Sequence, residues 1–191
     1  MHSAELTSAQ RGTREPADYR EPVDPIEINA GAYYLRALRA DDRLDDRPRI
    51  VEGFTDPVFR DWSPGFTITD LTAAGQYVEH RAEQWADETR LSWAIAEPTT
   101  GLLLGEVGLK RLDLTAGTAD ASVWLHPDSR GKGIATECLG AIIRFGFGAL
   151  DLREVYYRHA PGNDASAAIA ERLGFTRNGT ENHLVHWFKS A

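Results

Sequence analysis

Apolar positions along the chain switch between two rhythms. Leu71, Ala74, Tyr77, Val78, Ala82 and Trp85 recur at helical spacing, which predicts an amphipathic helix from Asp70 and Thr72 to Glu88. Glu79, Arg81, Glu83 and Asp87 fall elsewhere around that helix. Leu91–Ala96 alternates as a strand does, and Leu102–Leu109 and Thr118–Leu125 read as two more strands. The connections Glu97–Gly101 and Asp113–Gly117 have turn composition, so these three strands form an antiparallel meander. Leu139, Ile142, Ile143, Gly146 and Phe147 mark one face of a helix from about Gly133 to Leu150. Gly140, Gly146 and Gly148 weaken its propensity, so packing must hold it. A strand at Arg153–His159, a break at Pro161–Asp164 and a helix from Ala165 to Leu173 ended by Gly174 follow. Phe175–Asn178 and His183–Lys189 close the chain as strands, turning at Gly179-Thr180.

The front of the chain is less regular. Residues 1 to about 25 carry charges and prolines with few apolar anchors, the composition of a mobile or loosely packed arm. Residues 26–191 read as one domain, beginning with one bent strand or two short ones over Ile26–Leu38. Asp41 and Asp42 favour a helix start, and Pro48 is expected to divide that helix. Val58, Phe59 and Trp62 cluster after the Asp56-Pro57 turn.

Composition narrows the class. A formal net charge of −8 argues against a nucleic-acid surface and in a general way favours a cationic acceptor. The single Cys138 excludes an internal disulfide, suits a cytoplasmic setting, and reads as packing inside its helix. No apolar run approaches bilayer length, and the first residues lack a signal-peptide layout. His183 and His186 would face opposite sides of a strand, so no metal site is expected from them.

The stretch Ser122–Ala135 carries the most chemistry. Val123, Trp124 and Leu125 end a strand, Pro127 stops it, and Arg130-Gly131-Lys132-Gly133 opens the next helix. Such a loop aims free backbone N–H groups at one point beside a helix's positive end, which suits a phosphate-bearing ligand. An ordinary strand-to-helix turn fits the loop equally well. It is neither a P-loop, since no Ser or Thr follows Lys132, nor the three-glycine dinucleotide fingerprint.

The order of motifs is more specific than any one of them. Strand, Arg130-Gly131-Lys132-Gly133-Ile134-Ala135, helix, strand, Asn163-Asp164-Ala165-Ser166, helix and Leu173-Gly174-Phe175 together resemble the GNAT acyltransferase superfamily. Arg130, Gly133 and Ala135 satisfy its acyl-CoA loop pattern. Trp124-Leu125-His126-Pro127, Ala135-Thr136-Glu137, Asn163 and Ser166 look most like its RimJ/RimL-type, ribosomal-protein-alanine branch. The resemblance implies an α/β (α+β) fold: a mixed, mostly antiparallel sheet flanked by helices, whose central parallel strands splay around pantetheine. It implies acetyl-CoA as acyl donor, without a metal. Val123, Trp124, Leu125, Arg130, Gly131, Lys132, Gly133, Ile134, Ala135, Thr136, Asn163 and Ser166 would then hold it.

Acetyl transfer needs a neutral amine, so a carboxylate base is expected, with Glu106 and Asp120 the candidates. Glu106 sits within an apolar run, and Asp120 shares a strand face with Ser122 and Trp124. Many members of the superfamily carry a Tyr to protonate the thiolate where this chain has Ala170, so Ser166, a water, Tyr156 or Tyr157 would take that part. Trp62 is either core or a wall of the acceptor pocket. The expected acceptor is a protein N-terminus or a small amine, with the chain a monomer or homodimer. The alternatives are an enzyme using a larger acyl-CoA such as succinyl-CoA, a non-catalytic acyl-CoA-binding domain, or a nucleotide-binding domain.

Overall fold

The predicted meander forms the middle of an eight-stranded sheet in the computed structural model, which describes residues 25–191. Strands β1 (Ile28–Ala30), β2 (Tyr33–Arg36), β3 (Arg90–Ala96), β4 (Leu103–Asp113), β5 (Thr118–Leu125) and β6 (Glu154–His159) lie side by side in chain order. Then β8 (Leu184–Ser190) inserts between β6 and the edge strand β7 (Thr176–Glu181). Every pairing is antiparallel except β5–β6. The expected arm lies outside the described residues apart from Pro25.

Helices cover both faces. Helix α4 (Ile134–Ala149) packs Cys138, Leu139, Ile142 and Ile143 onto the odd-numbered side chains of β3, β4 and β5, in the larger apolar cluster. Burial pushes the Cys138 thiol up to about 12, consistent with a packing role. On the opposite face, α1 (Arg47–Thr55) and α3 (Leu71–Ala86) bury Ile50, Phe54, Ala74, Tyr77 and Val78. Asp70 caps α3, its side chain accepting from the Ala73 amide. Two short helices complete the chain, α2 (Pro57–Trp62) and α5 (Asp164–Arg172).

Several expectations are corrected. The first helix begins at Arg47, not at Asp41, because the Asp41 carboxylate accepts from the Arg43 and Leu44 amides and holds a turn. Pro48 does not divide α1; it occupies the first turn, where a missing N–H costs nothing. Leu71 and Ala82 are exposed, and Arg81 takes the inward position on α3. Strand β3 is buried on both faces rather than alternating, because α3 and α4 sandwich it. The closing hairpin turns at Asn182-His183, both at positive φ, which suits a two-residue turn matched to strand twist. Gly179 sits instead at the register shift within β7.

Candidate active site

The site begins where two strands part. The parallel β5–β6 pairing runs from Thr118↔Glu154 to Ala121↔Tyr157 and stops. Beyond that, β5 stays paired with β4 to Leu125 and β6 stays paired with β8 to His159. The inner edges therefore separate, and the backbone groups along them need partners from elsewhere. A cleft of about 390 Å³ passes through this gap. Val123, Tyr157, Ser166 and Ile169 line it on one side of the sheet, and Tyr77, Arg81, Glu106 and Trp124 on the other.

The loop after β5 is held in place from both ends. A single 3₁₀ turn at Pro127–Ser129 follows His126, which is buried and bonded to Glu52 at 2.9 Å. Gly131 and Gly133 both adopt positive φ, and a Cβ at either would touch nothing in the protein. Their room is open, and the backbone turns outward at the positive end of α4, so the loop fits a pyrophosphate. Arg130 is not free at the rim: it pairs with Asp56 at 2.7 Å and ties the loop to α2. Burial would raise the Asp56 carboxyl, but Arg130 and the Phe59 amide hold it below its usual range. Lys132 bonds the Asp128 carbonyl, Thr136 is half-buried on the first turn, and Ala135 lines the cleft. The Ile134 side chain is in the core, so only its backbone can face a ligand.

Across the gap, Asn163 is the N-cap of α5, its carbonyl oxygen accepting from the Ser166 amide at 3.1 Å, with both residues on the cleft wall. Asn163→Ala should lower stability by about 1 kcal/mol, a Tm drop of roughly 2–4 °C in a thermal melt. Ala170 is fully buried in the main core and does not reach the cleft. Trp62 on α2 lines the cleft and leans toward Gly162, its ring 3.8 Å from where a Cβ there would stand.

The catalytic candidates occupy one sheet face. Register and the period of two place Arg90, Lys110 and Asp120 in one cross-strand row, Ser92, Gly108 and Ser122 in the next, and Ala94, Glu106 and Trp124 in a third. Glu106 is fully buried yet reaches the cleft, accepting from the Tyr77 hydroxyl at 2.5 Å, Arg81 at 3.2 Å, Arg90 at 3.0 Å and the Trp124 indole at 3.1 Å. Desolvation pushes its carboxyl upward, but the two guanidinium groups outweigh that and hold it below its usual range. Asp120 lies on the same face without lining the cleft, covered by ion pairs to Arg111 and Arg158. Arg111 reaches it because a bulge after Lys110 leaves that residue at φ +51 and turns it off the opposite face. Glu106 and Ser166 are thus brought to one cleft, while Asp120 stands behind Arg158.

Sequence reasoning missed the cations. Arg81 follows Tyr77 by four residues, and Arg90 and Lys110 share the Glu106 face by strand period, so the spacing contained the signal. His159 was also missed: it accepts from the Trp187 indole at 2.9 Å through Nε2 and so donates from Nδ1 to the Ala160 carbonyl.

Residues 34–176 match the family profile of the acetyltransferase (GNAT) domain. The chain belongs to the GNAT acetyltransferase family. It is 35% identical over 79 residues to a Bacillus subtilis (strain 168) protein assigned as the ribosomal N-acetyltransferase YdaF. That stretch is 41% of this chain and 43% of the relative, so less than half of the relative's length is matched. A structure assigned as a ribosomal-protein-serine acetyltransferase from Vibrio cholerae superposes with a TM-score of 0.75 at 20% identity. It covers 90% of this chain and 100% of that one. The microcin C7 self-immunity acetyltransferase MccE, solved in complex with acetyl-CoA and AMP, superposes with a TM-score of 0.73 at 19% identity over 89% and 99% of the chains. Both superpositions show the shared GNAT fold. Among the described residues no helix is long and apolar enough to cross a membrane.

Proposed function

We propose that this chain transfers an acetyl group from acetyl-CoA to a primary amine, of a protein N-terminus or a small molecule, by direct attack in a ternary complex. The parted β5–β6 edge that leads into the Gly131–Gly133 loop carries this reading. Its free backbone groups suit the amides of pantetheine, and the loop suits the pyrophosphate. Bound acetyl-CoA supplies the activated acyl group. A backbone N–H near the end of β5 polarises the thioester carbonyl, while Asn163 and Ser166 flank the arm from α5.

Attack requires the amine in its neutral form. Lys110 reports the field that an amine meets on this face: burial first, then Arg90, Arg111 and Arg158, lower its ammonium to about 8. The same cations favour the neutral form of an acceptor amine. Glu106, held ionised with its acceptor sites taken by Tyr77, Arg81, Arg90 and Trp124, fixes these groups on the cleft wall while the proton leaves through water, and Asp120 positions Arg158 without touching substrate. At the other end Tyr157 or Ser166 assists the thiolate, which is a good leaving group already.

Thiol release from acetyl-CoA over an amine panel tests the reading. Saturable dependence on both substrates is expected, with acetyl-CoA preferred over succinyl-CoA. Asp120→Asn should raise the acceptor KM several-fold while acetyl-CoA affinity holds. Tight acetyl-CoA binding with no turnover on any amine would replace the enzyme by a regulatory acyl-CoA-binding domain.

A further inference from the structure

The acceptor side of the cleft carries far more positive charge than a protein of net charge −8 leads one to expect. Arg81 from α3, Arg90 from β3, Lys110 from β4 and Arg158 from β6 line the cleft beside the parting strands, and Arg111 from β4, more exposed, stands outside it against Asp120. Two carboxylates face these five cations, a surplus of three positive charges, and each carboxylate is already shared. Glu106 is taken by Arg81 and Arg90, and Asp120 by Arg111 and Arg158.

Lys110 is left over. Its ammonium lines the cleft and has no hydrogen-bond or ion-pair partner among the described residues. Asp120 stands directly across the strand pair, yet its carboxylate turns to the guanidinium groups instead. An unpaired ammonium in a partly desolvated wall among like charges is costly unless an anion completes it.

That anion is not the phosphate of coenzyme A. The glycine loop lies past Leu125, whereas Lys110 pairs with Asp120, five residues back along β5 and about 17 Å away at strand rise. The surplus therefore faces the other substrate.

We infer that the acceptor is a small amine bearing its own carboxylate or phosphate, which Lys110, Arg158 and Arg90 hold beside the parted strands while the amine reaches the thioester. This rests on the acetyl-transfer reading and departs from the expectation, drawn from overall charge, of a cationic acceptor. A polyamine or a basic protein N-terminus brings further positive charge into a field that already disfavours Lys110's own, so both should be poor acceptors.

The test compares propylamine, 4-aminobutyrate, O-phosphoethanolamine, spermidine and a basic alanine-initiated peptide by thiol release from acetyl-CoA. The carboxylate and phosphate arms tell the two anion sources apart. At least one anionic amine should exceed propylamine in kcat/KM by about tenfold and spermidine by more. Lys110→Gln should cut the anionic-to-cationic ratio about tenfold and Lys110→Glu should invert it, with acetyl-CoA affinity as the check on folding. If spermidine or the peptide matches the anionic amines, and the ratio is unmoved in both variants, the inference is overturned while acetyl transfer stands. If no amine is turned over, acetyl transfer itself fails. Calorimetric titration of the protein–coenzyme A complex with O-phosphoethanolamine and spermidine then decides the anion site: tighter binding of the phosphate, lost in Lys110→Gln, upholds it, and equal or absent binding overturns it.

Discussion

Gly133→Asp should leave the protein folded and raise the acetyl-CoA Kd by two orders of magnitude or more. Gly133 sits at φ +76, so any side chain costs about 1–2 kcal/mol of backbone strain, with Asp among the least penalised. Nothing in the protein lies within 4 Å of the added Cβ, so the packing around α4 is not disturbed. The new carboxylate stands instead where the loop presents its N–H groups and the helix its positive end, and it both fills that space and repels a pyrophosphate. Calorimetry should find the affinity lost, while circular dichroism and a melt lowered by only a few degrees show the fold retained. Wild-type affinity in a folded variant would remove the loop from the donor site and with it the proposed activity.

Glu106→Gln should be the most destabilising single change in the cleft. It leaves Arg81 and Arg90 desolvated around a neutral group, and breaking a buried pair in this way costs about 3–5 kcal/mol. For a chain of this size that is a Tm loss of roughly 6–20 °C. The pH dependence has a definite sign. The folded carboxyl lies below its usual value, so its stabilising contribution is present above the unfolded pKa, 4.5, and fades as pH falls through the folded one. Urea melts at pH 7 and pH 4 should therefore show wild type losing more stability on acidification than Glu106→Gln does. Equal losses would mean that the carboxylate is not held by its cations. Turnover should fall more than tenfold in the folded fraction, measured below the melting range.

Legible and hidden features divide by the range of the interactions involved. Strands β3, β4 and β5, helix α4 and the hairpin turn at Glu97–Gly101 were readable because each is written in contiguous periodicity and turn chemistry. The segment between β2 and α1 was not. There Arg36 makes a two-pronged buried bond to Asp46 at 2.8 Å and also donates to the Gly101 carbonyl, a contact 65 residues away that no local pattern announces. By composition Gly179 is the better turn residue, but strand pairing uses it at a bulge and leaves the turn to Asn182-His183.

The sequence by itself determined the meander, the glycine loop at the start of α4 and the likeness to an acyl-CoA-dependent family, since each is a short-range pattern of apolar period, glycine and charge. Only the tertiary structure decided the charge beside the parted strands. Arg81, Arg90, Lys110, Arg111 and Arg158 come from four separate elements and look like ordinary solvated charges along the chain. Strand register and the packing of α3 bring Arg81, Arg90, Lys110 and Arg158 onto one cleft wall, where partial burial makes their excess over Glu106 consequential, while a bulge swings the exposed Arg111 to Asp120. Charge is additive along a sequence, but its effect depends on which charges share a desolvated space.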